Sequence, residues 1–152
     1  MRAAVLWLAC VLAGCAAVKA EVPPELAGTA WVVEDLEGRG VIDDLRSTLE
    51  FPEVGRAAGD LGCNRFTATV RRSDTTLEFG PVAATRRMCP PAIMDQEDRY
   101  ARVLEATRSV RVEGPYLFLL DEAGAKLARL TRMDAPAALG EDERYGVPDG
   151  PG

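Results

Sequence analysis

The sequence predicts an α+β fold, in which a curled, barrel-like antiparallel sheet packs against one main α-helix at about residues 91–108. Apolar and polar residues alternate through most of the region 29–133, and this period of two is typical of half-buried strands. A single segment after Pro91 contains no Gly or Pro and carries apolar residues at helical spacing. One helix among many short strands indicates an α+β domain.

The N-terminal residues are typical of an export signal. Arg2 precedes an uncharged stretch from Ala3 to Val18, which is shorter than the roughly 20 residues that a helix needs to span a bilayer. The string Leu12-Ala13-Gly14-Cys15 resembles the bacterial lipobox, in which the cysteine receives a diacylglyceryl group. We therefore expect a lipoprotein signal peptide over residues 1–14 and lipidation at Cys15.

Lipidation would make the membrane a partner through the acyl chains on Cys15. Residues 15–28 contain no periodic pattern and are expected to be a lipidated tether. Position 16 is Ala and not the Asp that retains similar lipoproteins in the inner membrane, which favours the outer membrane, facing the periplasm. The alternative is an ordinary secretory signal, cleaved at Ala16-Ala17 or Ala20.

The domain between the two ends has a regular order of elements. Alternation predicts strands near residues 48–51, 66–71 and 109–113. Short extended runs between Gly, Pro, Asp and Ser turn residues predict further strands at 31–36, 77–79, 116–120 and 126–131. Pro90-Pro91 can open the helix, and its acidic residues Asp95, Glu97 and Asp98 suit the positive end of the helix dipole. After this domain, residues 134–152 are rich in Gly, Pro and acidic side chains, and we expect a disordered acidic tail.

Composition excludes several classes of function. Eighteen Lys and Arg face 24 Asp and Glu, and the net charge of −6 argues against nucleic acid as a partner. The chain has no histidine, which excludes Ser-His-Asp and Cys-His catalysis and the HExxH zinc site. Adjacent acids such as Asp43-Asp44 and Asp121-Glu122 are more typical of turns than of a hydrolase. We expect no catalytic residue, no metal and no cofactor.

Cys63 and Cys89 are the two cysteines that would remain after processing and lipidation. In an oxidising compartment such a pair favours a disulfide. Two buried thiols are an alternative. A metal site is a weaker one, because the spacing offers no carboxylates to complete a zinc site.

Basic residues near these cysteines form the candidate partner-binding set, Arg65, Arg86 and Arg87. They could bind an anionic ligand or an unknown envelope protein, and the alternative is a set of solvated arginines paired with surface acids. Asn64 and Thr85 could line a ligand pocket, or Asn64 could satisfy local backbone groups.

Several strings occur together in an order that resembles a known family. They are Trp31, Gly-Cys-Asn-Arg-Phe within Gly59–Phe66, Leu77–Pro81, Thr85–Pro90, Met94, Glu97 and the hairpin Leu117–Arg132. Together they resemble the META domain of HslJ-like heat-shock lipoproteins over essentially all of residues 29–132. The resemblance implies a compact domain of antiparallel strands around a helix, associated with the bacterial envelope, heat induction and novobiocin tolerance. The family has no established catalytic residues to carry over.

These observations give a functional expectation. We expect a non-enzymatic envelope lipoprotein whose META domain, over residues 29–133, binds or supports an envelope component under heat-shock or antibiotic stress. The alternative is a hydrolase inhibitor or small-ligand-binding module of the envelope.

Overall fold

Nine strands and one helix form the regular structure of residues 26–73 and 76–133, the part of the chain that the computed structural model describes. The expectations for the signal peptide 1–14, for Cys15 and for the acidic tail 134–152 lie outside the described residues. The elements are β1 (Ala30–Leu36), β2 (Thr48–Glu53), β3 (Arg56–Asp60), β4 (Arg65–Ser73), β5 (Thr76–Phe79), β6 (Ala83–Ala84), α1 (Pro91–Ala106), β7 (Ser109–Glu113), β8 (Tyr116–Leu120) and β9 (Lys126–Arg132).

The strands form one antiparallel sheet that nearly closes on itself. Its order is β5-β4-β3-β2-β1-β9-β8-β7, and β6 pairs with β4. The two ends of this order approach each other, because the Leu77 amide of β5 donates to the Arg108 carbonyl, just before β7, at 2.7 Å. The predicted α+β fold with a barrel-like sheet is therefore confirmed.

Side chains on the inner face of the sheet make the core. Burial alternates along β4 and β5, and the strand aromatics Trp31, Phe51, Phe66 and Phe79 are buried. Leu26, which lies within the expected tether 15–28, is only 1% exposed and belongs to the same core. Packing therefore extends three residues before the expected domain start at 29.

Strand β3 has no counterpart in the sequence-based prediction, because its central residues Ala57, Ala58 and Gly59 are too small to show alternation. Its small side chains are required by the packing. A Cβ on Gly59 would lie 2.2 Å from the Thr48 carbonyl oxygen and 2.9 Å from the Phe66 ring. The close approach of β2 and β3 therefore depends on a glycine at this position.

Helix α1 ends at Ala106, two residues before the predicted end. Thr107 is extended (φ −64°, ψ 132°) and its hydroxyl donates to the Val103 carbonyl at 2.8 Å. The Arg108 amide then donates to the Leu120 carbonyl at 2.8 Å. The hydrogen bond to β8 therefore ends the helix at a point where the helical spacing of apolar residues would predict that it continues.

The helix covers one end of the barrel. Buried Tyr100 donates its hydroxyl to the Thr48 carbonyl at 3.1 Å, and its ring meets Phe66 edge-on at 5.9 Å. Burial raises the pKa of Tyr100 far above the ordinary value for a tyrosine, 10.0. One turn earlier, Gln96 accepts from the Ile42 amide at 2.7 Å. These contacts pack α1 against β2, β4 and the connection between β1 and β2.

Candidate functional site

Residues 85–90, here called the 85–90 loop, connect β6 to α1 without regular secondary structure. The loop is held by the side chain of Asn64, at the turn before β4. The Asn64 oxygen accepts from the Thr85 hydroxyl at 2.9 Å and from the Arg87 amide at 2.7 Å. The Asn64 nitrogen donates to the Arg87 carbonyl at 3.1 Å. One side chain thus substitutes for a strand partner along this stretch of backbone.

Glu97 of α1 fixes Asn64 from the other side. Its carboxylate accepts from the backbone amides of Cys63 at 2.6 Å and Asn64 at 2.5 Å, and from the Asn64 side chain at 2.8 Å. Asn64 is 2% exposed and Glu97 3% exposed. Each buried polar group therefore has partners, which is the condition for burying a carboxylate at low cost.

A disulfide joins Cys63 to Cys89 at the far end of the loop, with 6.5 Å between the two Cα atoms. This is the pairing that the sequence analysis favoured over two thiols or a metal site. The cysteines are 26 positions apart in the chain. The bridge ties the turn before β4 to the residue that precedes Pro90 and α1.

The outer side of the 85–90 loop is exposed. The side chains of Arg86, Arg87 and Met88 are exposed to solvent. Met88 is 92% exposed, the highest value among the large apolar residues of the described chain. A cleft of about 320 Å³ lies beside them, with Met94 and Ala101 of α1 on its other side. A basic and apolar surface is therefore presented by a backbone that is fixed at both ends.

The three candidate arginines are brought to one region, but not all to one cleft. The Thr85 amide donates to the Arg65 carbonyl at 3.0 Å, so Arg65 lies next to the loop in the β4 ladder. Arg86 and Arg87 line the cleft, and Arg65 does not. Among the described residues none of the three takes part in a salt bridge within 4.0 Å.

Asn64 and Thr85 were the candidate ligand-pocket residues. Asn64 lines the cleft, but its amide is engaged with the loop backbone and Glu97, at sequence separations of 21 to 33. The residue therefore satisfies backbone groups that are distant in sequence, which differs from the local role considered as the alternative. Its main effect is to position the loop.

The acidic pairs lie in turns. Asp44 has a positive φ of 61°, and Asp121 accepts from the Ala125 amide at 2.8 Å in the hairpin between β8 and β9. Within residues 26–73 and 76–133, no cluster of three or more His, Cys, Asp or Glu is arranged to hold a metal ion. No helix in that part of the chain is long and apolar enough to cross a membrane.

The sequence analysis placed Glu97 among the charges that suit the helix dipole, and this was wrong. No acidic residue lies in the first turn of α1, and Glu97 is buried. A signal was present, because Glu97 lies three and seven residues before Tyr100 and Leu104, on the same apolar face. A charged residue on an apolar stripe indicates a buried partner.

Two solved structures are similar to this chain. A protein from Burkholderia xenovorans, determined by NMR, is 25% identical, with a TM-score of 0.55 over 72% of this chain and 85% of its own. A second NMR structure is 26% identical, with a TM-score of 0.57 over 72% of this chain and 94% of its own. No curated protein shows detectable similarity.

The family comparison agrees with the fold and with the strings around the loop. The model of the META domain matches residues 24–134, which include β1 to β9, the 85–90 loop and the buried Leu26. This match covers well over half of the chain, and the suspected resemblance is confirmed. The chain therefore belongs to the META domain family.

Proposed function

We propose that this protein is a non-enzymatic lipoprotein of the bacterial envelope that binds and supports another envelope component under heat or antibiotic stress. Lipidation at Cys15 would anchor it, with the outer membrane, facing the periplasm, as its place. Support comes from the lipobox-like string at the N-terminus, from membership of the META family and from a disulfide suited to an oxidising compartment.

The observation that carries the proposal is the exposed face of the 85–90 loop. Met88 places an apolar side chain in solvent next to Arg86 and Arg87. Exposed apolar and arginine side chains are enriched where proteins bind one another. Because Asn64 and the disulfide already fix the backbone, little ordering entropy would be lost on binding.

The side chains of the loop define the chemistry of the partner. Arginine forks pair with carboxylates in bidentate geometry, and an exposed methionine adapts to irregular apolar surfaces. The matching surface would carry acidic groups around an apolar depression. We infer a protein partner of this kind in the envelope.

Binding without turnover agrees with the chemistry of the chain. The sequence has no histidine, and the buried carboxylate nearest to the loop, Glu97, is occupied by three hydrogen-bond donors. A general base must be within reach of a substrate proton. Glu97 is instead a structural acceptor.

A second candidate is inhibition of a hydrolase by the same loop. Protease inhibitors use exposed loops whose conformation is fixed before binding, and the 85–90 loop has this property. The two candidates differ in a measurable way. An inhibitor would reduce turnover of an envelope hydrolase at stoichiometric concentration, whereas a supporting protein would leave turnover unchanged.

Crosslinking in intact cells tests the site. We expect Arg86→Ala combined with Arg87→Ala to weaken crosslinks to the partner, while unfolding shifts by less than about 0.5 kcal/mol, because exposed charges contribute little to stability. The matched control is Arg71→Ala with Arg72→Ala, an adjacent arginine pair on β4, away from the cleft. Crosslinks that survive the first pair, or that are lost equally with the second, would show that the loop is not the binding site.

Labelling with palmitate tests the anchor separately. Wild-type protein should incorporate the label and Cys15→Ser should not. Label on both proteins, or on neither, would contradict lipidation at Cys15 without affecting the crosslinking result.

A further inference from the structure

A second cleft lies on the outside of the barrel and shares no lining residue with the cleft beside the 85–90 loop. It has a volume of about 610 Å³, within the range of small-molecule sites. Its lining includes Asp35, Glu37, Tyr116, Phe118, Lys126 and Arg129. Nothing in the proposed docking role of the loop uses these residues.

The floor of this cleft is aromatic. Leu117 and Leu119 of β8 are fully buried inside the barrel, so the alternate residues Tyr116 and Phe118 lie on the other face of the strand. Their ring centroids are 6.3 Å apart. Phe118 is 8% exposed there, because Arg111 and Lys126 lie over its ring. Tyr116 is 38% exposed, which leaves ring surface open to a ligand.

Cationic side chains lie over the two aromatic rings. The Lys126 ammonium lies 5.3 Å from the Phe118 centroid, and the Arg129 guanidinium lies 5.7 Å from the Tyr116 centroid. Arg129 is also held by Glu34, whose carboxylate is 3.0 Å from Nε. These contacts place N–H donors over the rings in defined positions.

An acidic turn forms the opposite wall. A bulge between Val33 and Asp35 in β1 is followed by a turn in which the Asp35 carboxylate accepts from the Gly38 and Gly40 amides, each at 2.8 Å. Glu37 has a φ of 57° within this turn, and its amide donates to the Leu127 carbonyl at 2.7 Å. The turn thus holds the exposed Glu37 at the cleft as a hydrogen-bond acceptor.

We propose that this cleft binds a neutral sugar ring. A charged ligand of either sign would be repelled by a side chain of the same sign, because both Glu37 and Lys126 line the cleft. A neutral polyol can donate to the carboxylate, accept from Lys126 and Arg129, and lay its apolar C–H face on the Tyr116 ring. An aromatic surface with a few convergent polar groups is the usual composition of a small-ligand site.

Saturation-transfer NMR on the full chain tests the proposal with three named probes, maltotriose, triacetylchitotriose and the anionic trigalacturonic acid. We expect saturable binding of at least one neutral trisaccharide. Tyr116→Ala should weaken that binding about tenfold, as the loss of an aromatic contact does. Lys126→Ala, at an exposed position, should weaken it about threefold, the effect of one hydrogen bond.

The controls are Val112→Ala, an exposed residue of β7 outside the cleft, and Met88→Ala on the 85–90 loop. Both should bind the trisaccharide as the wild type does, and thermal midpoints check that each variant is folded. The proposal is overturned if neither neutral probe binds, if both cleft variants bind normally, or if trigalacturonic acid binds more tightly than the neutral sugars. Met88→Ala also separates this site from the proposed docking function.

Discussion

The hairpins β7–β9 and the 85–90 loop are held in place by different forces. In β8 and β9, inward side chains such as Leu117 and Leu130 are fully buried, and both strands pair along their length. The loop bonds to a strand through the Thr85 amide at its start, and residues 86–90 form no strand pair. Its backbone is fixed by the Asn64 side chain and by the disulfide at Cys89.

This difference explains how the loop can present its side chains. A strand of the barrel gains stability by burying every second residue, so half of its side chains are unavailable to a partner. The loop gains its shape from a buried amide, a buried carboxylate and a covalent bond, and Arg86, Arg87 and Met88 remain exposed. Breaking each region should therefore have a different signature.

Removal of the disulfide should have the largest effect. Cys63→Ala with Cys89→Ala should lower the free energy of unfolding by about 3.6 kcal/mol, because the loop-closure entropy of the unfolded chain is restored. Urea denaturation measures the loss, and hydrogen exchange should rise first at residues 61–64 and 85–90. Reductant should have no further effect on this variant. Equal stability of oxidised and reduced wild type would contradict the prediction.

A substitution in the core should destabilise the hairpins β7–β9. Leu119→Ala leaves a cavity behind a fully buried side chain and should cost about 3 kcal/mol in urea denaturation. Exchange should rise in β7–β9 before it rises at the loop. Val112→Ala, on the exposed side of the same hairpin, is the control and should cost less than about 0.5 kcal/mol. A loss confined to the loop would show that the two regions are not held independently.

Glu97→Gln should loosen the loop without removing its covalent bond. The amide nitrogen of the new side chain would face the Asn64 nitrogen or a backbone donor, so one buried donor loses its acceptor at a cost of about 2 kcal/mol. Thermal unfolding and exchange at residues 61–64 and 85–90 measure the effect. Asp98→Asn, at an exposed position one residue later, should change neither quantity. If both variants behave alike, the buried carboxylate does not organise the loop.

Alkaline pH should lower the free energy of unfolding through the buried Tyr100, and this effect should be smaller than those of the variants above. Burial raises the pKa of Tyr100, so only the unfolded state ionises near 10.0, and the free energy of unfolding should fall as pH rises above that value. Tyr100→Phe should lose about 1 kcal/mol at neutral pH, with its hydrogen bond to Thr48, and should show a weaker dependence up to about pH 11. Identical alkaline profiles for the wild type and Tyr100→Phe would contradict the assignment to Tyr100.

Much of the fold could be predicted from local patterns. Alternation of apolar and polar residues predicted β2, β4 and β7, and short extended runs between turn residues predicted β1, β5, β8 and β9. Strand β3 was missed because its Ala and Gly residues show no such contrast, although Gly59 is needed by the approach of β2. The end of α1 was placed two residues late because pairing of Arg108 with Leu120 competes with helical spacing.

The candidate site also has features that the sequence predicted and features that it did not. Proximity of Arg65 to the 85–90 loop was predicted from the cysteine pair, and the backbone contact between Arg65 and Thr85 agrees with it. The role of Glu97 was missed, because its donors Cys63 and Asn64 are 34 and 33 residues away. The aromatic cleft was missed as well, since its residues come from β1, β8 and β9 and the turn after β1.

By itself, the sequence determined the period of the alternating strands, the single helix, the even pair of cysteines and the absence of histidine. These are properties of one segment or of the composition. Burial of one face of a strand or helix produces a periodic pattern within that segment. The tertiary structure alone decided the near-closure at Leu77 and Arg108, the acceptor role of Glu97 and the cleft at Tyr116. Each of these joins residues distant along the chain, and only the packing of whole elements specifies such a contact.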